Sequence, residues 1–168
     1  ECAPSLCGEA EAQIYLGTFA RVEEGTYRRV PVEDGMFVDV EAGQQGAQHF
    51  WVDFAATGVN EGCFVPVTYT LSTMDGEVVD QQSANGDYDP YERPEDLPAL
   101  PESEAPFQVG GPHPFFIANS YIEDAHRVEH HFQVETEDGC GHSLVAEAVV
   151  VPFDERVERG ELGDEEGL

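Results

Sequence analysis

Short segments in which apolar and polar residues alternate constrain the fold of this chain more than any other feature. In residues 48–57 the apolar positions of one face are Phe50, Val52 and Phe54. The positions between them are His49, Trp51 and Asp53. Residues 63–73 and 126–136 alternate in the same way. Because successive side chains of a β-strand point to opposite faces, this period of two predicts half-buried strands.

Three Asp-Gly pairs separate the alternating segments, at residues 34–35, 75–76 and 138–139. Asp-Gly between apolar segments is typical of a tight β-hairpin turn, because glycine adopts positive φ at no cost. We therefore expect 27–32 to pair with 36–40 and 63–73 to lead into 77–82. The third turn would join 126–136 to 144–151, the most apolar segment and a predicted central strand. Pro66 predicts an edge or a bulge for its strand, because proline cannot donate to a ladder.

These signals predict about eight or nine short strands and an all-β, antiparallel β-sandwich. The one rival is a helix over 121–132, which fits the charge pattern less well than a strand. The length of 168 residues suits a single domain. We expect a cysteine-containing lead-in (1–11), one sandwich domain (12–153) and an acidic tail that frays (154–168). Within the domain, 83–106 holds five prolines and predicts an extended, polyproline-like surface connection.

The segment 48–79 (QHFWVDFAATGVNEGCFVPVTYTLSTMDGEVV) resembles part of a bacterial extracellular immunoglobulin-like or fibronectin-III-like domain. Two alternating strands, a turn and a closing Asp-Gly hairpin carry the resemblance, which covers about a fifth of the chain. It implies a sandwich with a role in binding or adhesion. Trp51 precedes both Cys63 and Cys140, so the cysteine–tryptophan–cysteine order of antibody domains, and their inter-sheet disulfide, do not carry over.

The charge of the chain narrows its partners. Asp and Glu number 35 and the basic residues number 7, all of them arginine, which gives a formal net charge of −28. A surface of this sign repels phosphate backbones and anionic lipids, so nucleic-acid and membrane-surface roles are excluded. The charge also keeps the chain soluble. No apolar run approaches the ~20 residues that a membrane helix needs, so no transmembrane segment is expected.

The four cysteines indicate the compartment. Cys2, Cys7, Cys63 and Cys140 form no C-x-x-C pair, so a zinc knuckle or a thioredoxin-like motif is absent. An even number without metal spacing predicts two disulfides and hence a secreted, periplasmic or cell-surface protein. Of the three connectivities we favour a local Cys2–Cys7 loop and a long-range Cys63–Cys140 bond. The alternative is buried free thiols in a cytosolic protein.

Histidines offer one candidate metal site. Five of the six histidines lie between 113 and 142. On a strand, His126 and His130 project from the same face but lie about 13 Å apart, so neither completes a site with the other. His142, beyond the third turn, is the candidate cross-strand partner, and copper or zinc is the metal that imidazole ligands favour. The alternative is that each histidine is satisfied by ordinary hydrogen bonds.

An acidic segment offers a second candidate, for calcium. Its oxygen ligands at alternate positions are Asn85, Asp87 and Asp89, followed by Glu92. The glycine and the bidentate glutamate of a full calcium loop are misplaced. The alternative is a solvated acidic run. The sequence establishes no cofactor, and calcium is the one that this segment suggests.

Aromatic residues offer a third candidate site. Trp51 lies on the polar face of its strand, and Tyr88 and Tyr91 lie in the proline-rich segment. Exposed aromatic rings beside carboxylates are suited to sugars or peptides, because they combine apolar contact with polar groups. The alternative is that Trp51 packs beneath the long connection or in the core.

Catalytic and nucleotide motifs are missing from the sequence. It contains no G-x-S-x-G, H-E-x-x-H, P-loop or G-x-G-x-x-G pattern, so we do not expect an enzyme. The leading hypothesis is a non-enzymatic binding or assembly module, exported or at the cell surface, which contacts a protein or glycan partner and is able to oligomerise. The alternatives are a periplasmic or secreted metal-binding protein that uses the histidines, and an extracellular hydrolase that uses paired carboxylates.

Overall fold

Strands dominate the computed structural model, which describes residues 12–23, 26–43, 47–60, 63–90, 107–109 and 113–161. The predicted all-β, sandwich-like fold with antiparallel strands in two sheets is confirmed. The elements of the described ranges are β1 (Gln13–Glu23), β2 (Thr26–Pro31), β3 (Met36–Asp39), β4 (Glu41–Ala42), β5 (Gln48–Thr57), β6 (Phe64–Thr73), β7 (Val78–Pro90), β8 (Phe107–Val109), β9 (His113–Ile117), α1 (Ile122–Ala125), β10 (His130–Glu137), β11 (Ser143–Phe153) and α2 (Glu155–Glu158).

Two sheets make up the sandwich. In sheet A, β5 is central and pairs with β1, β4, β8 and β9, while β2 pairs with β1. In sheet B the strand order is β7-β6-β10-β11-β3. All pairs are antiparallel except β3 with β11, which is parallel. The last residues of β7 pair with β8, so this one strand belongs to both sheets.

Aromatic side chains fill the space between the sheets. Phe50 of β5 packs against Phe115 of β9 and Phe132 of β10, with ring centroids 5.2 and 5.4 Å apart. All three rings are buried. Truncating one such ring to alanine typically costs about 3–5 kcal/mol, because the lost contacts leave a cavity. The alternation seen in the sequence therefore reports the side of β5 that faces this core.

The turn predictions are right for two of the three Asp-Gly pairs. The 75–76 turn joins β6 to β7, and the 138–139 turn joins β10 to β11. The hairpin predicted around residues 34–35 is wrong, because β2 pairs with β1 and β3 pairs with β11. The Asp34 carboxylate instead accepts the Val149 N–H at 2.8 Å, and the Gly35 N–H donates to the Val149 carbonyl at 2.8 Å. This turn carries the chain from sheet A to the edge of sheet B.

Pro66 lies in a strand with neighbours on both sides, so its assignment to an edge strand is wrong. The strand β6 lies between β7 and β10. The ladder with β10 ends at Thr68, however, before it reaches Pro66. The Pro66 carbonyl accepts the Thr136 hydroxyl at 2.9 Å instead. The proline is tolerated because it falls beyond the end of that ladder.

Three further expectations are corrected by the structure. Residues 83–90 are not an irregular connection but continue β7. The strand predicted over 126–136 begins only at His130, after the four-residue helix α1. Arg127 has φ of +61°, in the left-handed region, which no strand accommodates. The segment predicted as a fraying tail begins with α2, whose N-cap Asp154 is buried.

Neither of the two helices in the described ranges has the length and hydropathy to cross a membrane.

A glutamine side chain joins the two sheets where β7 lies beside β9. The Gln82 amide in β7 donates to the Phe116 carbonyl at 2.9 Å, and its oxygen accepts the Phe116 N–H at 3.2 Å. The side chain thus makes both hydrogen bonds that a neighbouring strand would make with β9. This contact adds to the backbone pairing of β7 with β8, which also connects the two sheets.

Candidate functional site

Three aromatic rings lie side by side on the outer face of sheet A. The strand β5 turns Phe50 and Val52 into the core, so His49 and Trp51 face outward. Antiparallel pairing with β9 places Phe116 directly opposite His49. The His49 ring lies 5.0 Å from Trp51 and 5.8 Å from Phe116, between centroids. We call Trp51, His49 and Phe116 the aromatic strip.

The strip is accessible at its ends and covered at its centre. Phe116 is 44% exposed and Trp51 is half-buried, whereas His49 is 7% exposed. His49 Nδ1 is buried without a hydrogen-bond partner in the described part of the chain. A Cβ on Gly43 would lie 3.1 Å from this nitrogen, so glycine allows the backbone to pass closely over the imidazole. His49 thus packs against both Trp51 and Phe116 and supports the two more exposed rings.

A buried ion pair fixes the surface beside Trp51. Arg29 Nε lies 2.6 Å from Asp53 Oδ1, and the two side chains are 5% and 0% exposed. The guanidinium lies over Gly17, where a Cβ would come within 2.4 Å of Arg29 Cζ. The Thr18 hydroxyl also donates to the Trp51 carbonyl at 2.8 Å. Removing one partner of a buried pair typically costs about 3–5 kcal/mol, so the pair ties β2 to β5 beside Trp51.

The sequence predicted part of this strip. Trp51 was expected at an aromatic site, and the structure places it between His49 and the Arg29–Asp53 pair. Tyr88 lies in β7 opposite Val109, with a side chain outside the described atoms, and Tyr91 lies outside the described residues. Phe116 was missed, because the pairing of β5 with β9 brings it to His49 and nothing local signals that register.

The three candidate metal-ligating histidines do not converge. His126 Nδ1 accepts the Asp154 N–H at 3.0 Å, and its Nε2–H donates to Glu158 at 2.7 Å. His130 is buried, donates to the Val128 carbonyl and accepts from the Tyr121 hydroxyl, each at 2.7 Å. His142 lies at the opposite end of the β10–β11 hairpin from His130.

Ordinary hydrogen bonds therefore account for each of these histidines. No group of three or more His, Cys, Asp or Glu side chains in the described ranges is arranged to hold a metal ion. The site predicted from His126, His130 and His142 is not assembled by this fold.

The structure describes only part of the segment that is the candidate calcium site. Asn85 is exposed in β7 and pairs with Pro66. Asp87 and Asp89 continue the same strand, with side chains outside the described atoms, and Glu92 lies outside the described residues. A regular strand spaces alternate residues about 6.6 Å apart and does not wrap around a cation as a calcium loop does. Calcium binding at this segment stays a prediction.

Cys63 and Cys140 lie near the β10–β11 turn. Cys63 is buried, and its Sγ lies 4.0 Å from the Gly139 carbonyl oxygen, one residue before Cys140. Neither Cys63 nor Cys140 is a free thiol. Cys2 and Cys7 lie outside the described residues, so the connectivity of the four cysteines stays a prediction.

A cleft of about 470 Å³ opens between β4 and α2, and it is lined by Asp39, Val40, Glu41, Ala42, Phe153, Asp154, Glu155 and Arg156. Burial raises the pKa of the Asp39 carboxyl, and the negative charges of Glu41 and Glu155 raise it further. Arg156 binds Asp154 and the Gln48 side chain. The cleft is acidic, so it disfavours anionic ligands.

Comparison with known proteins adds no relative: neither a scan against protein-family models nor a search of curated proteins finds a match to this chain. The fold and the strip define its class as a two-sheet, β-rich domain with an aromatic surface on one sheet.

Proposed function

We propose that this chain is a non-enzymatic binding module, exported or at the cell surface, that contacts a glycan partner through the aromatic strip. The observation that carries the proposal is the arrangement of Phe116, His49 and Trp51 on the outer face of sheet A. Exposed aromatic rings supply apolar contact area at low entropic cost, and the polar groups beside them supply orientation. Adhesion and assembly are the roles that such a module would serve.

Rigidity of the surface favours this use. Trp51 is held through its carbonyl by Thr18, and the neighbouring Asp53 is held by Arg29. A preorganised surface loses little conformational freedom when a ligand binds, so more of the contact energy appears as affinity. A strip on the outer face of a sheet suits a glycan chain better than it suits a fully enclosed small molecule.

The cysteines support the proposed exported or cell-surface location, and the charge is compatible with it. Neither described cysteine is a free thiol, which supports an oxidising compartment. The net charge of −28 favours solubility and disfavours anionic surfaces. The metal-binding and hydrolase alternatives gain no specific observation from the described residues.

Trp51 is the only tryptophan of the chain, so its fluorescence reports directly on the proposed site. We expect a glycan array to identify ligands that shift this emission on titration. Phe116→Ala should weaken such binding about tenfold or more, which is the effect of losing an interface residue worth about 1.4 kcal/mol. Phe64→Ala, which removes an exposed ring of sheet B, is the matched control.

Two outcomes would contradict the proposal. One is that no glycan changes the Trp51 emission while a protein partner does, which would assign the strip to protein recognition. The other is that Phe116→Ala and Phe64→Ala weaken glycan binding equally.

A further inference from the structure

The outer face of sheet B forms a second, separate surface. Strands β6, β10 and β11 pair in regular antiparallel ladders, and their core-facing residues alternate with outward-facing ones. We call this surface the open face. Its outward side chains are Thr68, Thr70, Ser72, His131, Gln133, Glu135, Glu137, Val145, Glu147 and Val149. Each of them is exposed or half-buried, so the described structure leaves this face available to a partner.

The strand register places an apolar side chain between two carboxylates. Val145 lies directly opposite Glu135 on β10, and Glu147 follows Val145 by two residues on the same face of β11. These spacings are about 5 Å across the strands and about 6.6 Å along them. Val145 is 49% exposed, and both glutamates are exposed. An arginine stem can therefore pack on Val145 while its guanidinium reaches Glu135 or Glu147.

The strands of this sheet supply no lysine or arginine to pair with the glutamates. The sequences of β3, β6, β7, β10 and β11 contain neither lysine nor arginine. The residue of the open face that can carry a positive charge is His131, whose Nε2 lies 3.3 Å from Glu147 Oε2. A second copy of this chain is a poor match, because each copy carries a formal charge of −28.

We infer that the open face docks an arginine-bearing segment of a partner protein in extended conformation. An extended segment repeats every two residues at about 6.6–6.8 Å, which matches the spacing of Val145, Glu147 and Val149 along β11. Every second side chain of that segment faces the sheet, so an arginine at one such position meets Glu147, and aliphatic side chains two residues before and after it meet Val145 and Val149. The hydroxyl and amide groups of Thr68, Thr70 and Gln133 supply further hydrogen bonds. This surface lies on the opposite sheet from the aromatic strip, so it adds a second partner to the proposed function.

The test uses a ten-residue peptide in which every second residue alternates between valine and arginine and serine fills the positions between them, and the same peptide with citrulline in place of arginine. Citrulline keeps the shape of arginine and removes its charge. We expect the arginine peptide to bind the full chain at low salt and the citrulline peptide to bind at least tenfold more weakly. Glu135→Gln/Glu147→Gln should weaken the arginine peptide about fivefold or more, since each exposed charged pair is worth about two- to fivefold.

A matched variant separates docking from general attraction. Glu23→Gln/Glu123→Gln removes two exposed carboxylates from β1 and α1 and leaves the open face intact. We expect less than a twofold effect on peptide affinity from this control. Equal weakening by both double variants would overturn the inference, because the peptide would then respond only to net charge.

Chemical-shift mapping and light scattering test the open face separately from the aromatic strip. Chemical-shift changes on peptide addition should map to β10 and β11 and spare Trp51; changes centred on the strip would overturn the docking site. A dimer in the absence of peptide, detected by light scattering and abolished by Glu135→Gln/Glu147→Gln, would assign the open face to a second copy. Failure of glycan binding at the strip leaves this test unaffected.

Discussion

At the residue scale, His113 shows how the core controls protonation. Its imidazole stacks on the Tyr69 ring with centroids 4.4 Å apart and an interplanar angle of 1°. Burial lowers the pKa of His113 below its ordinary value, because the charged form loses solvation. Its Nε2 is buried and makes no hydrogen bond within the described ranges. Protonation of His113 therefore lowers the stability of the folded state.

A pH dependence of stability follows from that shift. An unfolded histidine titrates near pH 6.5, and the folded His113 titrates lower, so the unfolded state binds more protons between these two values. Stability therefore rises with pH through this window and is lost as the pH falls through it. We expect His113→Phe to be at least as stable as the parent chain at pH 7 and to lose less Tm between pH 7 and pH 5.

Thermal melts at pH 7, 6 and 5 check this expectation. His131→Phe serves as the control for removing a half-buried histidine from an outer face. If His113→Phe and the parent chain lose the same Tm over this range, the stacked histidine does not contribute to the pH dependence.

At the scale of elements, a cluster of side chains attaches α2 to the sandwich. Arg127 Nη2 and Nε donate to the two oxygens of Glu158 at 2.7 and 2.8 Å. The same guanidinium lies over the rings of Phe37 and Phe153, 5.9 and 5.4 Å from their centroids. Because the charged fork is held by the carboxylate of Glu158 and also by two adjacent rings, the geometry is more ordered than that of a lone surface pair.

Glu158 is the residue of this cluster that a mutation tests most directly. Arg127 and His126 hold the pKa of Glu158 at about 2, well below its ordinary value. A lowered folded pKa contributes stability above the unfolded pKa that is lost as the pH falls through the folded one. We expect Glu158→Gln to lower Tm by about 2 °C at pH 7, on the scale of an ordered surface pair, and by much less near pH 2.

Differential scanning calorimetry of both chains at pH 7, 4 and 2 measures that difference. Glu123→Gln, an exposed glutamate of α1, is the control. A difference in Tm that does not shrink between pH 7 and pH 2 would show that Glu158 acts through packing rather than through its charge.

The same elements show which features the sequence could predict. Residues 75–76 and 138–139 turn between strands that are adjacent in the chain, so local signals suffice for both hairpins. The turn at Asp34 and Gly35 has the same signature, but its strands find partners far along the chain. Likewise, Trp51 was visible from alternation, whereas Phe116 depends on the register between β5 and β9. Long-range pairing is the information that one local pattern does not contain.

At the scale of the whole molecule, charge opposes compactness. A formal charge of −28 on 168 residues produces self-repulsion that destabilises the compact state. Salt screens this repulsion over a Debye length of about 30 Å at 0.01 M and about 8 Å at 0.15 M. We expect Tm to rise by several degrees between 0.01 and 0.3 M NaCl and then to level off.

Melting curves across that salt series check this prediction at constant pH. Sucrose at the same osmolality is the control, because it changes solvent exclusion without screening charge. A constant or falling Tm over the NaCl series would mean that the surface pairs, which salt weakens, outweigh the repulsion.

The strand β7 has a consequence for how the domain comes apart. Its first residues pair with β6 in sheet B and its last residues pair with β8 in sheet A, while the side chain of Gln82, in the part that pairs with β6, binds β9. Neither sheet can lose its order at this junction without disturbing a strand that the other requires. The two sheets should therefore unfold as one cooperative, two-state unit rather than as a sequence of separate layers.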